Sequence, residues 1–325
     1  MIGAVGDAGD VGRKPGKGPY EEGGYLSAKH WRLDVAYRHQ FSHRHFVGTT
    51  EQVQREQQES EVLNHINLQN YLVTYQANAR WSFQFNLPVM IANRYGESNP
   101  GRRYDSNGIG DVSLTAQTWL WRPPTESGGN IAVGFGVKFP TGNAAVSNTF
   151  RQGLPVQNVD QSIQLGDDAY GIIGNFQAFK TVHRAVLFAD GSYVMEPNGG
   201  PKGVKTYRGN PLEAIMSASD SYLADAGIAH PFPKLRGVAV NFGGRVEGIP
   251  IHNLVGSSLG FRRPGYAFSV VPGFEYSKGR NLWTFNLPIA VVRDRSRSVP
   301  DRMDGGHGDA AFADVIWLLT YSRKF

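Results

Sequence analysis

Twelve segments of alternating apolar and polar residues run along this chain, and the connections between them alternate strictly between short and long. Successive side chains of a β-strand point to opposite faces, so a period of two marks strands with one apolar and one polar face. The short connections are Asn78-Ala79, the Pro-Pro-Thr-Glu-Ser-Gly-Gly stretch after residue 122, His183, the His-Pro-Phe-Pro-Lys turn at 230–234 and the Ser-Lys-Gly-Arg turn at 277–280. Each follows an even-numbered segment. The long ones, at about 49–61, 94–107, 142–167, 197–219, 252–264 and 294–308, follow the odd-numbered segments. A β-sandwich gives no reason for every long loop to lie at one end. An up-and-down barrel in a membrane does, with short turns and both termini at one side and long loops at the other. Lipid also requires closure, because an open strand edge leaves unsatisfied amides in hydrocarbon. The expected fold is therefore all-β: a single antiparallel transmembrane barrel of about twelve strands, of outer-membrane type, over residues 28–325.

Composition is consistent with this. The chain has 40 glycines and 12% aromatic residues, which suits many short strands and tight turns, and no cysteine, which rules out disulfides and thiolate metal sites. Its 33 Lys and Arg against 28 Asp and Glu leave only +5, with no long basic run, so nucleic acid is not an expected partner. A mean hydropathy of −0.35 fits a barrel, in which only alternate residues meet lipid. The first residues carry no signal peptide, so an exported barrel requires a numbering that starts after its removal. Residues 1–27, Gly-rich and of mixed charge, read as a flexible arm or as a partial plug of the barrel mouth.

The last segment, Ala310 to Phe325, places Trp317, Leu319, Tyr321 and Phe325 on its apolar face and must pair with the first, Trp31 to Phe41, to close the cylinder. Arg323 is its misfit and has to reach water at the short-turn interface. In the second segment the apolar face moves from Ile66 and Leu68 to Tyr71, Val73 and Tyr75, which predicts a bulge near Gln69.

Phe85-Asn86-Leu87-Pro88 recurs as Phe285-Asn286-Leu287-Pro288, and each loop that follows ends in Gly-x-Gly-Asp, at Gly108–Asp111 and Gly306–Asp309. A looser copy runs from Lys138-Phe139-Pro140-Thr141-Gly142 to Gly166-Asp167-Asp168. The Asp of each return is expected to accept hydrogen bonds from nearby amides. Together with the C-terminal Phe, these motifs resemble the outer-membrane barrel family associated with the meta-cleavage pathway of phenol degradation. That resemblance covers most of residues 80–325. It implies passive transport of small hydrophobic or aromatic compounds.

The polar face assigns an inward set: Arg32, Asp34, Arg38, Arg80, Gln84, Asn86, Asp111, Gln117, Lys138, Asn175, Gln177, Asp190, Asp225, Asn241, Arg245, Glu247, Glu275 and Asp314. Such groups line a solute path or pair with one another across a blocked lumen. Gly134, Gly136, Gly243 and Gly244 are expected to leave space beside that path. Loop arginines Arg94, Arg102, Arg103, Arg151, Arg262, Arg263, Arg293, Arg295, Arg297 and Arg302 form a basic group at the external end, facing lipopolysaccharide phosphates or simply water.

His39, His43 and His45 fall on one face of the first strand without a nearby fourth ligand, and Asp160, Asp167 and Asp168 suit a capped loop better than calcium, so no metal or cofactor is expected. No hydrolase, phosphate-loop or zinc-protease motif is present, and Ser42 lies across the strand from His39 and His43, so no enzyme is expected. Beyond lipid, lipopolysaccharide and a small solute, the remaining readings are a blocked barrel that holds an envelope partner and a narrow anion-preferring porin.

Overall fold

The computed structural model describes residues 30–121, 128–148, 156–232 and 234–325. The expected N-terminal arm lies outside the described residues, as do Arg151 and the side chain of Arg102. Twelve staves close into a barrel. They are β1 (His30–Val47), β2 (Val62–Gln76), β3 (Trp81–Gly96), β4 (Asn99–Ile109 and Ser113–Trp119), β5 (Gly129–Lys138) and β6 (Gly171–Val182). They continue as β7 (Ala185–Met195), β8 (Ser221–Pro231), β9 (Val238–Ile249), β10 (Gly265–Lys278), β11 (Asn281–Asn286 and Ile289–Asp294) and β12 (Ala310–Lys324). Each pairs antiparallel with its sequence neighbours. β12 returns to β1, with Val35 opposite Tyr321, Tyr37 opposite Leu319 and His39 opposite Trp317. The twelve-stave closure read from the connection lengths is what the structure shows.

Every stave turns large apolar side chains outward. Phe135 is 62% exposed and Phe242 57%, while their strand neighbours Gly136 and Arg245 face in and are buried. Trp31, Val73, Phe83, Leu114, Phe176, Leu187, Ile228, Phe268, Trp283 and Leu319 continue the same belt around the cylinder. An apolar belt of this extent is incompatible with water and matches the hydrocarbon-facing band of a membrane barrel.

Three expectations need correction. The pairing of β2 with β1 and β3 is continuous from Val62 to Gln76, so no bulge lies at Gln69. Its even residues face inward throughout, and the shift of apolar residues is real: Ile66 and Leu68 enter an apolar cluster inside the barrel, while Tyr71 and Val73 face out. The supposed loop 94–107 is mostly a hairpin in which β3 and the outer half of β4 pair from Val89–Ile109 to Gly96–Asn99. Its alternation is weak because little of it meets lipid. The inner-wall glycines leave no open space either. A Cβ on Gly134 would lie 2.0 Å from Asn175 Oδ1, and one on Gly136 2.6 Å from the Leu114 carbonyl. They let neighbouring polar groups close in. Gly136→Ala therefore has to push backbone apart, and it should destabilise the barrel by about 1–3 kcal/mol in denaturant unfolding.

Two staves carry a proline at matching positions: β3 runs on through Pro88, while β11 is interrupted at Pro288. The Pro88 carbonyl accepts from Gly110 N–H at 2.8 Å and the Pro288 carbonyl from Ile316 N–H at 2.9 Å, so the repeated Phe-Asn-Leu-Pro keeps its ladder acceptor while giving up a donor.

Candidate functional site

The described part of the long loop between β5 and β6 folds into the barrel. Val159 and Ile163 are fully buried against Ile66, Leu68, Met90 and Ala92 of β2 and β3, with Tyr104, Val146 and Leu165 around them. Between the two apolar anchors, Asp160 caps a single 3₁₀ turn (Gln161–Ile163) by accepting from Ser162 N–H. Its carboxylate is almost completely buried. Arg263, from the loop between β9 and β10, donates to both of its oxygens at 2.7 Å. Tyr207 donates to Oδ2 at 3.0 Å, and Arg94 of β3 stands 3.5 Å away. Burial alone would raise this carboxyl, but Arg263 and Arg94 hold it well below the usual carboxylate range. One acidic residue thus ties together three loops and the wall. A cation at Asp160 would have to displace a bidentate guanidinium, so the calcium reading of this residue fails on geometry.

Deeper in the barrel lie two inward charge clusters. In the first, Lys138 of β5 reaches Asp167 at 2.6 Å, Glu196 at 2.9 Å and Asp111 at 3.3 Å. Asp111 also accepts from Gly142 N–H at 2.9 Å, the capping role read from its motif. In the second, Asp190, Asp225 and Arg245 stand directly opposite one another on β7, β8 and β9. Arg245 donates to Asp225 at 2.9 Å and to Glu247 at 2.8 Å. Glu247 takes both terminal nitrogens of Arg38, at 2.6 and 3.0 Å. Arg38 belongs to β1, so this pair spans the interior between staves that are not neighbours. Arg32 donates to Asp34 beside it.

Among the other inward candidates, Gln84 donates to Thr74 and Asn241 to Asn286. Gln117 and Asn175 flank Gly134, Gln177 stands opposite Asp190, Asn86 opposite Leu72 and Ser113, and Glu275 is buried on β10. Two assignments do not hold. Arg80 is exposed in the turn before β3. Asp314 sits where the β1–β12 register slips, from Gln40–Ile316 to Ser42–Ala313; Ala313 takes the buried position, and Asp314, 40% exposed, binds Arg44 and Arg293.

The described loop arginines do not form an exposed basic ring. Arg262 and Arg295 are buried, donating to the Pro250 carbonyl and to Asp301 respectively. Arg94, Arg263 and Arg293 are also paired within the wall and mouth. Arg103 remains exposed on Asp105, Arg302 is exposed, and Arg297 holds the Gly305 and Gly306 carbonyls. The three histidines of β1 do not share a face. His39 meets Asn67 on the outer wall, whereas a register slip between Ser42 and Arg44 turns His45 inward. His45 Nε2 accepts from Val62 N–H, which leaves Nδ1 to donate to Asp309 at 3.0 Å. Arg55, which pairs with Asp309 at 2.5 Å, Glu51, which pairs with Arg44 at 2.5 Å, and Tyr207 were missed because polar residues in polar loops give no periodic signal. Val159 and Ile163, isolated apolar residues in such a loop, were the legible clue.

Fold and belt define the class: a membrane-spanning barrel of the outer-membrane type. Among solved structures, the chain is similar to an outer-membrane channel from Pseudomonas putida F1, with a TM-score of 0.61 and 14% identity over 93% of this chain and 98% of that one. Looser likenesses are to the β domain of the Bordetella autotransporter BrkA (TM-score 0.45, 11% identity, 92% and 100% covered) and to the toluene transporter TodX of P. putida (TM-score 0.40, 10% identity, 91% and 89% covered). No family model and no curated protein matches the sequence.

Proposed function

We propose that this barrel is a channel of the outer membrane for small hydrophobic or aromatic solutes, closed at its loop end by the segment around Asp160. The observation that carries this is the apolar patches on the inner wall, which a water-filled porin does not need. At the loop end the inner face carries Ile66, Leu68 and Met90, covered by Val159 and Ile163. Toward the short turns, Trp119 and Phe179 meet edge to face at 5.7 Å on the inward parity, and Phe179 stands opposite Phe188. Aromatic and aliphatic walls above and below a charged middle suit a solute that sheds water on entry. The sequence resemblance to the phenol-degradation barrels points the same way. Cells lacking the protein should take up a radiolabelled monoaromatic compound more slowly than the parent; equal uptake across a panel of such compounds would refute the reading.

The Arg38–Glu247 pair favours a second reading, a permanently occluded barrel that serves an envelope partner. Planar-bilayer recording separates the two, since an occluded barrel stays silent even when the Asp160 loop is released.

A further inference from the structure

The barrel's exposed basic ring lies at the short-turn end. Arg80 stands in the β2–β3 turn, with Lys180 and Arg184 at β6–β7, and all three are exposed. Lys234 and Arg236 occupy the β8–β9 turn, and Lys278 and Arg280 the β10–β11 turn, again exposed. Arg323 joins them on β12, exposed as the misfit in that strand requires, with its guanidinium 5.6 Å from the Phe325 ring centre. No Asp or Glu occurs among the described residues of these turns. The loop end differs. Its arginines are largely buried on partners such as Asp160 and Asp301, and exposed ones stand among acids such as Asp105 and Asp304.

We infer that the short-turn ring binds the anionic headgroups of the phospholipid leaflet that surrounds that end. Two observations favour a lipid surface over an acidic protein. The four described turns and β12 are spread around the cylinder from β2 to β12, so the charges lie on opposite sides of the barrel, whereas a docked protein covers one arc. Large apolar side chains stand exposed at the same level: Trp31 and Trp81 at the strand ends, Phe232 and Leu235 in the β8–β9 turn, and Phe325 at the C-terminus. Aromatic anchors beside Lys and Arg are the pattern that membrane interfaces select. The ring goes beyond the transport reading and holds whether or not the lumen conducts.

Tryptophan quenching in vesicles tests it, with the full chain reconstituted in phosphatidylcholine that contains a graded fraction of either brominated phosphatidylglycerol or brominated phosphatidylcholine. At low salt the anionic lipid should be preferred about fivefold, the effect of roughly one basic side chain at a charged surface. The preference should vanish near 1 M salt, where screening acts within about 3 Å. Changing Lys180, Arg184, Lys234, Arg236, Lys278 and Arg280 together to Gln should clearly reduce it, while exchanging Lys for Arg and Arg for Lys at those positions should keep it. Heat-modifiable gel mobility reports that both variants are folded. Equal quenching by the two lipids in the wild type would overturn the inference, and that is the result an acidic protein partner predicts. An unchanged preference in the folded six-Gln variant would overturn it too.

Discussion

Replacing Asp160 by Asn should loosen the loop end of the barrel by about 3–5 kcal/mol, the usual effect of removing one partner from a buried ion pair. Arg263 is itself largely withdrawn from water, and without the carboxylate its charge has no partner at bidentate distance. The loss should appear in urea unfolding in detergent as a lower midpoint. If the loop is the closure proposed here, single-channel recordings should show longer or larger openings in the same variant. An unchanged midpoint would mean that Val159 and Ile163 alone hold the loop. The pH dependence follows from the direction of the shift. In the unfolded chain Asp160 titrates near 4, and in the fold well below that. The fold therefore gains from the ionised carboxylate at every pH above about 4. That gain drains away as pH falls from about 4 through the lower folded value, and Asp160→Asn should remove this acid limb.

The staves were legible from the sequence because lipid imposes period two on every one of them, and the connection lengths fixed their order. Where another surface replaced lipid, the reading failed. Ile66 and Leu68 looked like a register slip because an apolar patch inside a barrel reverses the usual polarity of its face. The hairpin above β3 and β4 lost its alternation and passed for a loop. Loop arginines were countable in the sequence, but whether Arg263 meets water or Asp160 depends on two loops 103 residues apart. The short-turn basic residues were equally visible, one or two per turn, and only closure of the cylinder assembles them into a ring. His45 shows the sharpest limit: one slipped register turns it from the outer wall to the interior, and no pattern in the strand marks the slip.

The other large effect is expected in the barrel's middle, from Glu247→Gln. This carboxylate answers Arg38 across the interior and Arg245 beside it. Arg245 is buried between Asp225 and Glu247, so the change shifts it wholly onto Asp225 and leaves Arg38 with Gln40 as its remaining partner. A loss of about 3–5 kcal/mol in the unfolding midpoint is expected for Glu247→Gln. Arg38→Met should have a similar effect alone, because Glu247 then relies on Arg245. The double variant should be less damaging than the sum of the two, with a coupling of about 1.5 kcal/mol or more, since the partners disappear together. Strictly additive losses would show that Arg38 and Glu247 do not act as a pair. The double variant also tests the lumen. If the Arg38–Glu247 bridge is what obstructs the middle of the barrel, removing both charges should raise single-channel conductance, whereas a barrel held shut by the Asp160 loop alone will conduct no better until that loop is released as well.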